Sequence, residues 1–442
     1  MDLKSMTLQE MQEYMESIGE KKFRAKQIYE WFHKHLALSL DEMNNVPKKL
    51  KEKIEQTQEI YGVKPVDCFI SKIDGTRKYL FELYDGNIIE SVLMKYKHGN
   101  SVCISSQAGC RMGCKFCAST LGGLDRNLTP SEMLSQIYYI QRDTEERVSN
   151  VVMMGTGEPM DNYDNVLRFL ELITSEDGLN ISQRNITIST CGIVPKIKEL
   201  AQKHLQITLA ISLHSPNDEM RRGLMPIAMK YSIDELLDAC HYYFKETNRR
   251  MTFEYSLVAG VNDQPVHAEE LAGRLKGFPC HVNLIPVNPI KERDFKQSMP
   301  KSVMEFKKIL EKNRVNVTIR REMGADINAA CGQLRRKKTA VKIVKENDMR
   351  SVGASHIGKV RTENQDRIFF HDQPVGNLKN LYIVADGMGG HRAGGHASSF
   401  AVERFVQLIE ESKQTDPIEL MKSPIASVNQ EMIAESQSNE EY

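Results

Sequence analysis

The first 60 residues carry patterns in which apolar positions recur every three to four residues, as on one face of a helix. Three segments have this pattern: TLQEMQEYMESIG, RAKQIYEWFHKH and PKKLKEKIEQ. A β-like stretch follows over residues 61–98, with turn signals at Asp74–Gly75 and Asp85–Gly86. We therefore predict a helical N-terminal domain over residues 1–60 and a small β extension over residues 61–98.

From residue 99 onward, short apolar runs alternate with amphipathic helical segments. Six runs lack polar alternation: SVCISS, NVVMMGTGEP, NITISTCG, ITLAISLH, MTFEYSLVAG and HVNLIPVNP. Strands of this kind are buried on both faces, as in a parallel sheet covered by helices. Six strand–helix units predict an α/β fold, a partial (β/α)6 barrel of the TIM type over residues 99–335. Active-site residues in such barrels lie where the strands end.

Composition narrows the class of protein without choosing a function. The 442 residues include 59 Lys and Arg and 59 Asp and Glu, so no overall charge attracts nucleic acid, although a local basic face would suffice. The N-terminus is charged, and no apolar run approaches the roughly 18 residues of a membrane helix. We expect a cytoplasmic protein with no membrane partner, in which clustered cysteines indicate metal or redox chemistry.

Three of the nine cysteines lie in one short loop, GCRMGCKFCAST, at positions 110, 114 and 117. A structural zinc site usually has four ligands in paired groups, and this loop has no second pair. Three thiolates suit a [4Fe-4S] cluster instead, with one iron left open for a substrate. Gly109 and Gly113 would let the loop wrap closely around it. Zinc stays open as the alternative.

The spacing C-x-x-x-C-x-x-C, with an aromatic residue before the last cysteine, resembles the radical S-adenosylmethionine superfamily. Three later strand ends, MMGTGEPM, STCG and SLHSP, and IPVNP after them, fall where that family binds its nucleoside. Singly, each is an ordinary polar strand end, but together they favour a nucleoside site. The resemblance implies a [4Fe-4S] cluster on Cys110, Cys114 and Cys117. It also implies S-adenosylmethionine contacts from Glu158, Pro159, Thr190, Leu213, His214, Ser215 and Asn288.

Five segments in order resemble one group within that superfamily. VCISSQAGCRMGCKFCAST, VVMMGTGEPMDNYDNV, ISLHSPND, NLIPVNP and DINAACGQL are similar to the bacterial RNA adenine C2-methyltransferases of the RlmN type. The resemblance covers about residues 1–348. It implies methylation of an adenine in the peptidyl-transferase region of 23S rRNA, and of adenine 37 in some tRNAs. A relative that methylates C8 and confers antibiotic resistance is the alternative within this class.

The same resemblance implies roles for two further thiols and a carboxylate. Cys331 matches the cysteine that is S-methylated by one of the two S-adenosylmethionine molecules used per turnover. A radical from the second would activate that methyl group for addition to C2 of adenine. Cys103 would resolve the covalent adduct through a transient disulfide with Cys331, and Glu90 would accept the C2 proton.

The expected partners follow from this chemistry. We expect 23S rRNA and tRNA as substrates, a flavodoxin-like electron donor, and a monomeric enzyme. Basic runs at EKKFRAK, VPKKLKEK and QLRRKK suit phosphate contacts, although each alone is typical of a solvated helix face.

After a basic linker at 336–348, residues 349–442 resemble the start of the metal-dependent protein phosphatase 2C family. The motifs are RTENQD and VADGMGG, and the resemblance implies a Mn or Mg site. Asp386 and the carbonyl of Gly387 would bind the metal, Asp366 would support the site, and Arg361 would approach the phosphate. The later acidic motifs are missing, so we expect an inactive, incomplete α/β sandwich, with a bifunctional phosphatase as the alternative. Met349 suggests that two reading frames were joined.

Overall fold

The computed structural model describes residues 2–97, 99–290, 292–329, 337–338, 365–371, 374–386 and 393–438. The chain divides into two compact units, Met1–Ala340 and Val341–Tyr442. The division lies inside the segment predicted as a basic linker.

The N-terminal unit begins with three helices, α1 (Leu8–Ser17), α2 (Lys22–His33) and α3 (Lys48–Thr57). Thr7 caps α1 in a reciprocal pair with Glu10, which satisfies two backbone donors at the helix start. The apolar stripes of these helices belong to the same hydrophobic core as the barrel. The helical segments predicted over residues 1–60 therefore form helices that pack directly on the larger domain.

Four strands follow: β1 (Lys64–Ile70), β2 (Arg77–Glu82), β3 (Asn87–Tyr96) and β4 (Gly99–Cys103). Each pairs antiparallel with the next. Since β4 is also the first strand of the parallel array, the segment predicted as a small β extension continues the barrel sheet.

Two short strands, β5 (Gln107–Gly109) and β6 (Leu124–Asn127), pair antiparallel outside that sheet. The parallel array then continues, in spatial order after β4, through six strands: β7 (Val148–Met153), β8 (Ile186–Thr190), β9 (Thr208–Ser212), β10 (Met251–Leu257), β11 (Cys280–Pro286) and β12 (Asn316–Ile319). The strand β13 (Lys337–Lys338) pairs with β3.

Helices connect these parallel strands: α4 (Pro130–Thr144), α5 (Tyr163–Ile173), α6 (Val194–Ala201), α7 (Asp218–Leu224), α8 (Ile233–Thr247), α9 (Pro265–Arg274) and α10 (Pro300–Lys312). The six predicted strand–helix units are confirmed, and β12 adds a seventh parallel strand. Central strands such as β10 are buried along almost their whole length, as expected for strands of a parallel sheet whose outer face is covered by helices.

In the C-terminal unit, the described residues form a hairpin, β14 (Arg367–His371) with β15 (Leu381–Ala385), and two helices, α11 (Ala393–Glu411) and α12 (Pro417–Ser438). Leu381, Phe405, Ile409 and Leu420 are buried in a small core of this unit. Val384 on β15 is 75% exposed.

Candidate active site

The cysteine loop lies between β5 and β6, directly after the first parallel strand. The Cys110 amide donates to the carbonyl of Gly123 at 2.9 Å, which closes the base of the loop. Cys110 and Cys114 are buried, and Cys117 is partly exposed. Gly113 lies close to Pro226, and a Cβ added to this glycine would lie 3.2 Å from the proline ring. The loop is therefore held against the segment that follows β9.

An open pocket of about 910 Å³, counting its mouth, lies where the parallel strands end. The three loop cysteines line it. Four of the sequence-predicted nucleoside contacts also line it: Glu158, Thr190, His214 and Asn288. Pro159, Leu213 and Ser215 are neighbours of these residues in sequence, but the pocket lining does not include them. Of the ten residues predicted to bind the cluster or the nucleoside, seven therefore line this one pocket.

Burial raises the pKa of the Cys110 thiol to about 12 and that of Cys114 well above its usual value. The positive charge of Arg221 has a smaller effect that lowers the pKa of Cys114. Buried neutral thiols are poor nucleophiles, but iron binds the thiolate and compensates its charge.

The arrangement of the thiols suits a cluster. In the part of the chain that the structure describes, no three His, Cys, Asp or Glu side chains are grouped so that they could hold one metal ion. A [4Fe-4S] cluster has no such requirement, because each thiolate binds a different iron. Three thiols around one open pocket therefore fit this cofactor.

Glu158 is buried next to this pocket, and its position depends on the close approach of two loops. Its amide donates to the Gln107 side chain at 2.8 Å. An added Cβ at Gly157, where φ is +114°, would lie 2.7 Å from the Gln107 amide nitrogen, so only glycine fits. The carboxylate accepts from the backbone amides of Met160 (3.0 Å) and Cys191 (2.7 Å).

Burial raises the pKa of Glu158, while the two amide donors lower it. A cation entering the pocket would stabilise its ionised form. The buried carboxylate is therefore suited to an ammonium group such as the amino group of a bound amino acid.

A network of backbone and side-chain hydrogen bonds fixes His214. Its Nδ1 accepts from the Ser256 amide at 2.9 Å, and the Asn262 side chain donates to its carbonyl at 2.8 Å. The backbone is left-handed there, with φ +57°. Burial, with a smaller effect from Arg221, lowers the pKa of the imidazole to about 3. His214 is therefore a neutral ring, edge-on to Phe116 with ring centroids 4.8 Å apart.

Two of the other predicted contacts have different surroundings. Thr190 is buried, and its hydroxyl accepts from the Gly192 amide at 3.1 Å. The Ser215 hydroxyl is buried without a hydrogen-bond partner among the described residues, so it has unused hydrogen-bonding capacity beside the site.

Sequence reasoning missed two charged residues of the pocket, Glu254 and Arg320. Glu254 lies on β10, and burial raises its pKa. The Arg320 guanidinium lies 3.5 Å from its carboxylate, and Asn283 donates to it at 3.1 Å. The glutamate in the middle of the buried strand MTFEYSL is the signal that could have identified Glu254, since a buried charge is rare unless it is paired.

Cys103 lies in a second pocket, of about 630 Å³ counting its mouth, that adjoins the first. The two pockets share Met154, Ile285, Asn288 and Arg320 as lining residues. Cys103 packs with Val92, Met94, Met323 and Ala329 in a small apolar cluster. The thiol therefore faces a space next to the candidate nucleoside site, on the far side of Asn288 and Arg320.

Glu90 belongs to the same region of the sheet. Val92 pairs with Cys103 across β3 and β4, and with Lys78 across β2 and β3. Glu90, two residues before Val92, lies on the same face. Its carboxylate is buried, with the Lys78 ammonium 4.0 Å away, and Lys78 also donates to the Asn328 carbonyl at 3.3 Å.

Cys331 lies outside the described residues. The described chain extends to Ala329, two positions earlier, which lines the pocket of Cys103.

In the C-terminal unit, Asp366 and Asp386 are described, and Asp386 is exposed. Gly387 and Arg361 lie outside the described residues. The predicted Mn or Mg site therefore stays a prediction.

Comparisons with known proteins match this arrangement. The family model for the radical SAM superfamily matches residues 104–272, and that for the ribosomal RNA large subunit methyltransferase N-terminal domain matches residues 1–60. A relative from Lachnoclostridium phytofermentans, named "Probable dual-specificity RNA methyltransferase RlmN", is 61% identical over 78% of this chain and 97% of its own. A relative of the same name from Lachnospira eligens is 64% identical over 76% and 96%.

The chain belongs to the RlmN family. A crystal structure of a radical SAM methyltransferase from Sphaerobacter thermophilus is 43% identical and superposes with a TM-score of 0.73, over 76% of this chain and 99% of the other. The RlmN-type fold predicted from sequence is thereby confirmed for the first unit, together with a [4Fe-4S] cluster and S-adenosylmethionine as cofactors. The protein phosphatase 2C model matches residues 352–441. Among the described residues, no helix is long and apolar enough to cross a membrane.

Proposed function

We propose that this RlmN-family enzyme methylates C2 of an adenine in the peptidyl-transferase region of 23S rRNA, and of adenine 37 in some tRNAs. The observation that carries the proposal is the pair of adjoining pockets. One has the three cluster cysteines, and the other has Cys103, with Asn288 and Arg320 common to both. A nucleoside in the first pocket and an RNA base in the second would then meet across a short distance.

Cys110, Cys114 and Cys117 would hold the cluster, and the groups of the first pocket would hold S-adenosylmethionine. When bound, the cluster and this nucleoside together supply a 5′-deoxyadenosyl radical. Glu158 accepts the ammonium group of the methionine part, and Asn288 reads the adenine. The neutral ring of His214 and the ring of Phe116 form part of one wall of that pocket.

The second pocket would receive the RNA adenine. Cys331 would carry a methyl group from the first S-adenosylmethionine, which leaves as S-adenosylhomocysteine. The methyl carbon would give up a hydrogen atom to the 5′-deoxyadenosyl radical and bond to C2, and the adduct would lose one electron to the oxidised cluster and its C2 proton to Glu90, whose carboxylate lies 4.0 Å from the Lys78 ammonium. The Cys103 thiolate would then bond to the Cys331 sulfur while the bond from that sulfur to the methylene carbon breaks, and that carbon would take up a proton to complete the methyl group.

Basic and aromatic side chains on the N-terminal helices suit the RNA partner. Lys21, Lys22 and Lys26 are exposed at the start of α2. Phe23 among them is 50% exposed, with the Arg24 guanidinium 4.7 Å from its ring centroid. Cations for phosphates beside an aromatic face for a base are the usual means of holding single-stranded RNA. We further propose a flavodoxin-like electron donor and a monomeric enzyme.

The experiment combines product analysis with two thiol variants. Anaerobically reconstituted enzyme is expected to form 2-methyladenosine from an unmodified 23S rRNA fragment and from tRNA, as resolved by mass spectrometry of the nucleosides. C103A is expected to accumulate a covalent protein–RNA adduct, whereas C331A is expected to form neither adduct nor product. The exposed thiol of Cys68 offers a matched control, because C68A is expected to behave as the parent.

Formation of 8-methyladenosine alone would assign the enzyme to the C8-methylating class instead. Protein that holds zinc without iron or sulfide would overturn the cofactor assignment and the chemistry with it.

A second activity is considered because the protein phosphatase 2C model matches residues 352–441. We propose that the chain has no phosphatase activity, because the later acidic motifs of that family do not occur among its residues. Manganese-dependent hydrolysis of p-nitrophenyl phosphate by the full chain, abolished in D386N, would contradict this.

A further inference from the structure

Arg221 on α7 is fully buried next to the cysteine loop. Its Nη2 donates to the Cys191 carbonyl at 2.7 Å, and its Nε to the Leu213 carbonyl at 3.2 Å. The same segment of chain contacts the loop directly, because the Lys115 amide donates to the Leu224 carbonyl at 2.9 Å. Leu224 and Cys191 pack with Cys114 in one apolar cluster. The guanidinium is therefore enclosed behind the wall that carries a cluster cysteine.

Among the described residues, this guanidinium lacks an anionic partner. Its hydrogen-bond acceptors are backbone carbonyls, and no carboxylate of the described residues lies within 4.0 Å of it. Its Nη1 is buried without a hydrogen-bond partner among them. Arg126 is a useful contrast, because it is paired with both Asp85 and Glu132. A buried charge is tolerated only when something compensates it. The described protein groups do not supply that compensation for Arg221.

The cluster would supply it. Three thiolates make a [4Fe-4S] cluster anionic in its oxidised form, and reduction adds one further negative charge. A fixed cation in a low-dielectric surrounding stabilises the more negative state more strongly, which raises the reduction potential. Charge and hydrogen bonding near a cluster are the means by which proteins set that potential.

We propose that Arg221 is the buried counter-charge of the cluster and sets its reduction potential. It is a positioning residue for charge, since it does not line either pocket. The step it favours is transfer of one electron from a low-potential one-electron carrier to the oxidised cluster, with no proton taken up. The inference rests on the cluster site of the proposed function and extends it to the control of electron entry.

The test compares the cluster potential in matched variants of the full chain, followed by electron paramagnetic resonance during an anaerobic redox titration. R221M removes the buried charge. R222M removes one from the next residue, which is exposed and screened by water and salt. R221K keeps the charge and loses the planar fork.

R221M is expected to show about a tenfold lower ratio of reduced to oxidised cluster at a fixed solution potential, a midpoint about 59 mV more negative. R222M and R221K are expected to remain close to the parent. Equal potentials in R221M and the parent, at equal iron and sulfide content, would overturn the proposal. So would a shift in R221K as large as that in R221M, because packing and not charge would then be responsible.

If R221M loads less cluster than the parent, R221Q, which is neutral but keeps donors, takes its place. If both neutral variants lose iron while R221K retains it, the requirement for charge is upheld. If R221K loses iron as well, the proposal fails. The titration needs no RNA, so parent enzyme that makes no 2-methyladenosine would refute the proposed function and leave this test intact.

Discussion

Replacing Gly109 with alanine tests whether the base of the cysteine loop admits only glycine. Gly109 ends β5 with φ +87°, and an added Cβ would overlap the carbonyl oxygen of Gly123 and lie 3.0 Å from its carbon. That oxygen accepts the hydrogen bond from the Cys110 amide. The new methyl group therefore has to displace the partner strand or break the bond that positions the first cluster cysteine.

The cost has three parts. Left-handed backbone costs a residue with a side chain about 1–2 kcal/mol, overpacking costs about 1–3 kcal/mol, and the lost hydrogen bond costs about 1 kcal/mol. G109A is thus expected to lose about 3–6 kcal/mol if the fold stays intact. Gly123 is the matched control across the same hairpin. Its φ is +66° and an added Cβ would meet nothing within 4 Å, so G123A is expected to lose only about 1–2 kcal/mol.

The assay is urea unfolding of both variants and the parent, with iron and sulfide measured after anaerobic reconstitution. G109A is expected to be less stable than G123A by about 2 kcal/mol or more, and to bind less iron because Cys110 is displaced. Equal stability and equal iron content in the two variants would refute the close approach of β5 and β6.

Three further predictions concern buried polar groups. Burial, with a smaller effect from Lys4, holds the pKa of His33 down to about 3, so below its ordinary value the unfolded chain takes up a proton that the folded chain does not. The free energy of unfolding should therefore fall as pH drops from about 6.5 towards 3, and this residue should account for about 1.4 kcal/mol of that fall at pH 5.5. In urea unfolding at pH 8 and pH 5.5, H33F should lose less stability between the two pH values than the parent. An equal loss in H33F and the parent would contradict this. N262L removes a side chain that hydrogen-bonds to the backbone of Val258, His214 and Ser256. It should cost about 3 kcal/mol or more of stability and weaken the binding of S-adenosylmethionine as measured by calorimetry. N313L, at an exposed position, should cost under about 1 kcal/mol, and equal losses in the two variants would count against the network. K78M removes the cation 4.0 Å from the buried Glu90 carboxylate and should cost about 3 kcal/mol. K64M, which removes an exposed ammonium 3.9 Å from Glu82, should cost under about 1 kcal/mol. K78M with E90Q should regain part of the loss, and equal losses in K78M and K64M would contradict the reasoning.

Much of the fold could be predicted from local pattern. The six buried strands and the helices between them are visible because burial on both faces removes polar alternation, and because caps such as Thr7 and Thr129 mark helix starts. The cysteine loop could be predicted for the same reason: its spacing is local, and short loops hold their chemistry within a few residues.

The tertiary structure alone decided which distant residues meet. Residues 90 and 103 share one face of the sheet with Lys78 because strand register, which depends on long-range pairing, aligns them. Glu254 and Arg320 form an ion pair although they are far apart in the sequence. Arg221 lies near a cluster cysteine because α7 packs against the cysteine loop. A sequence lists these charges without their neighbours, and only the packed chain shows which are paired and which are left for a ligand to compensate.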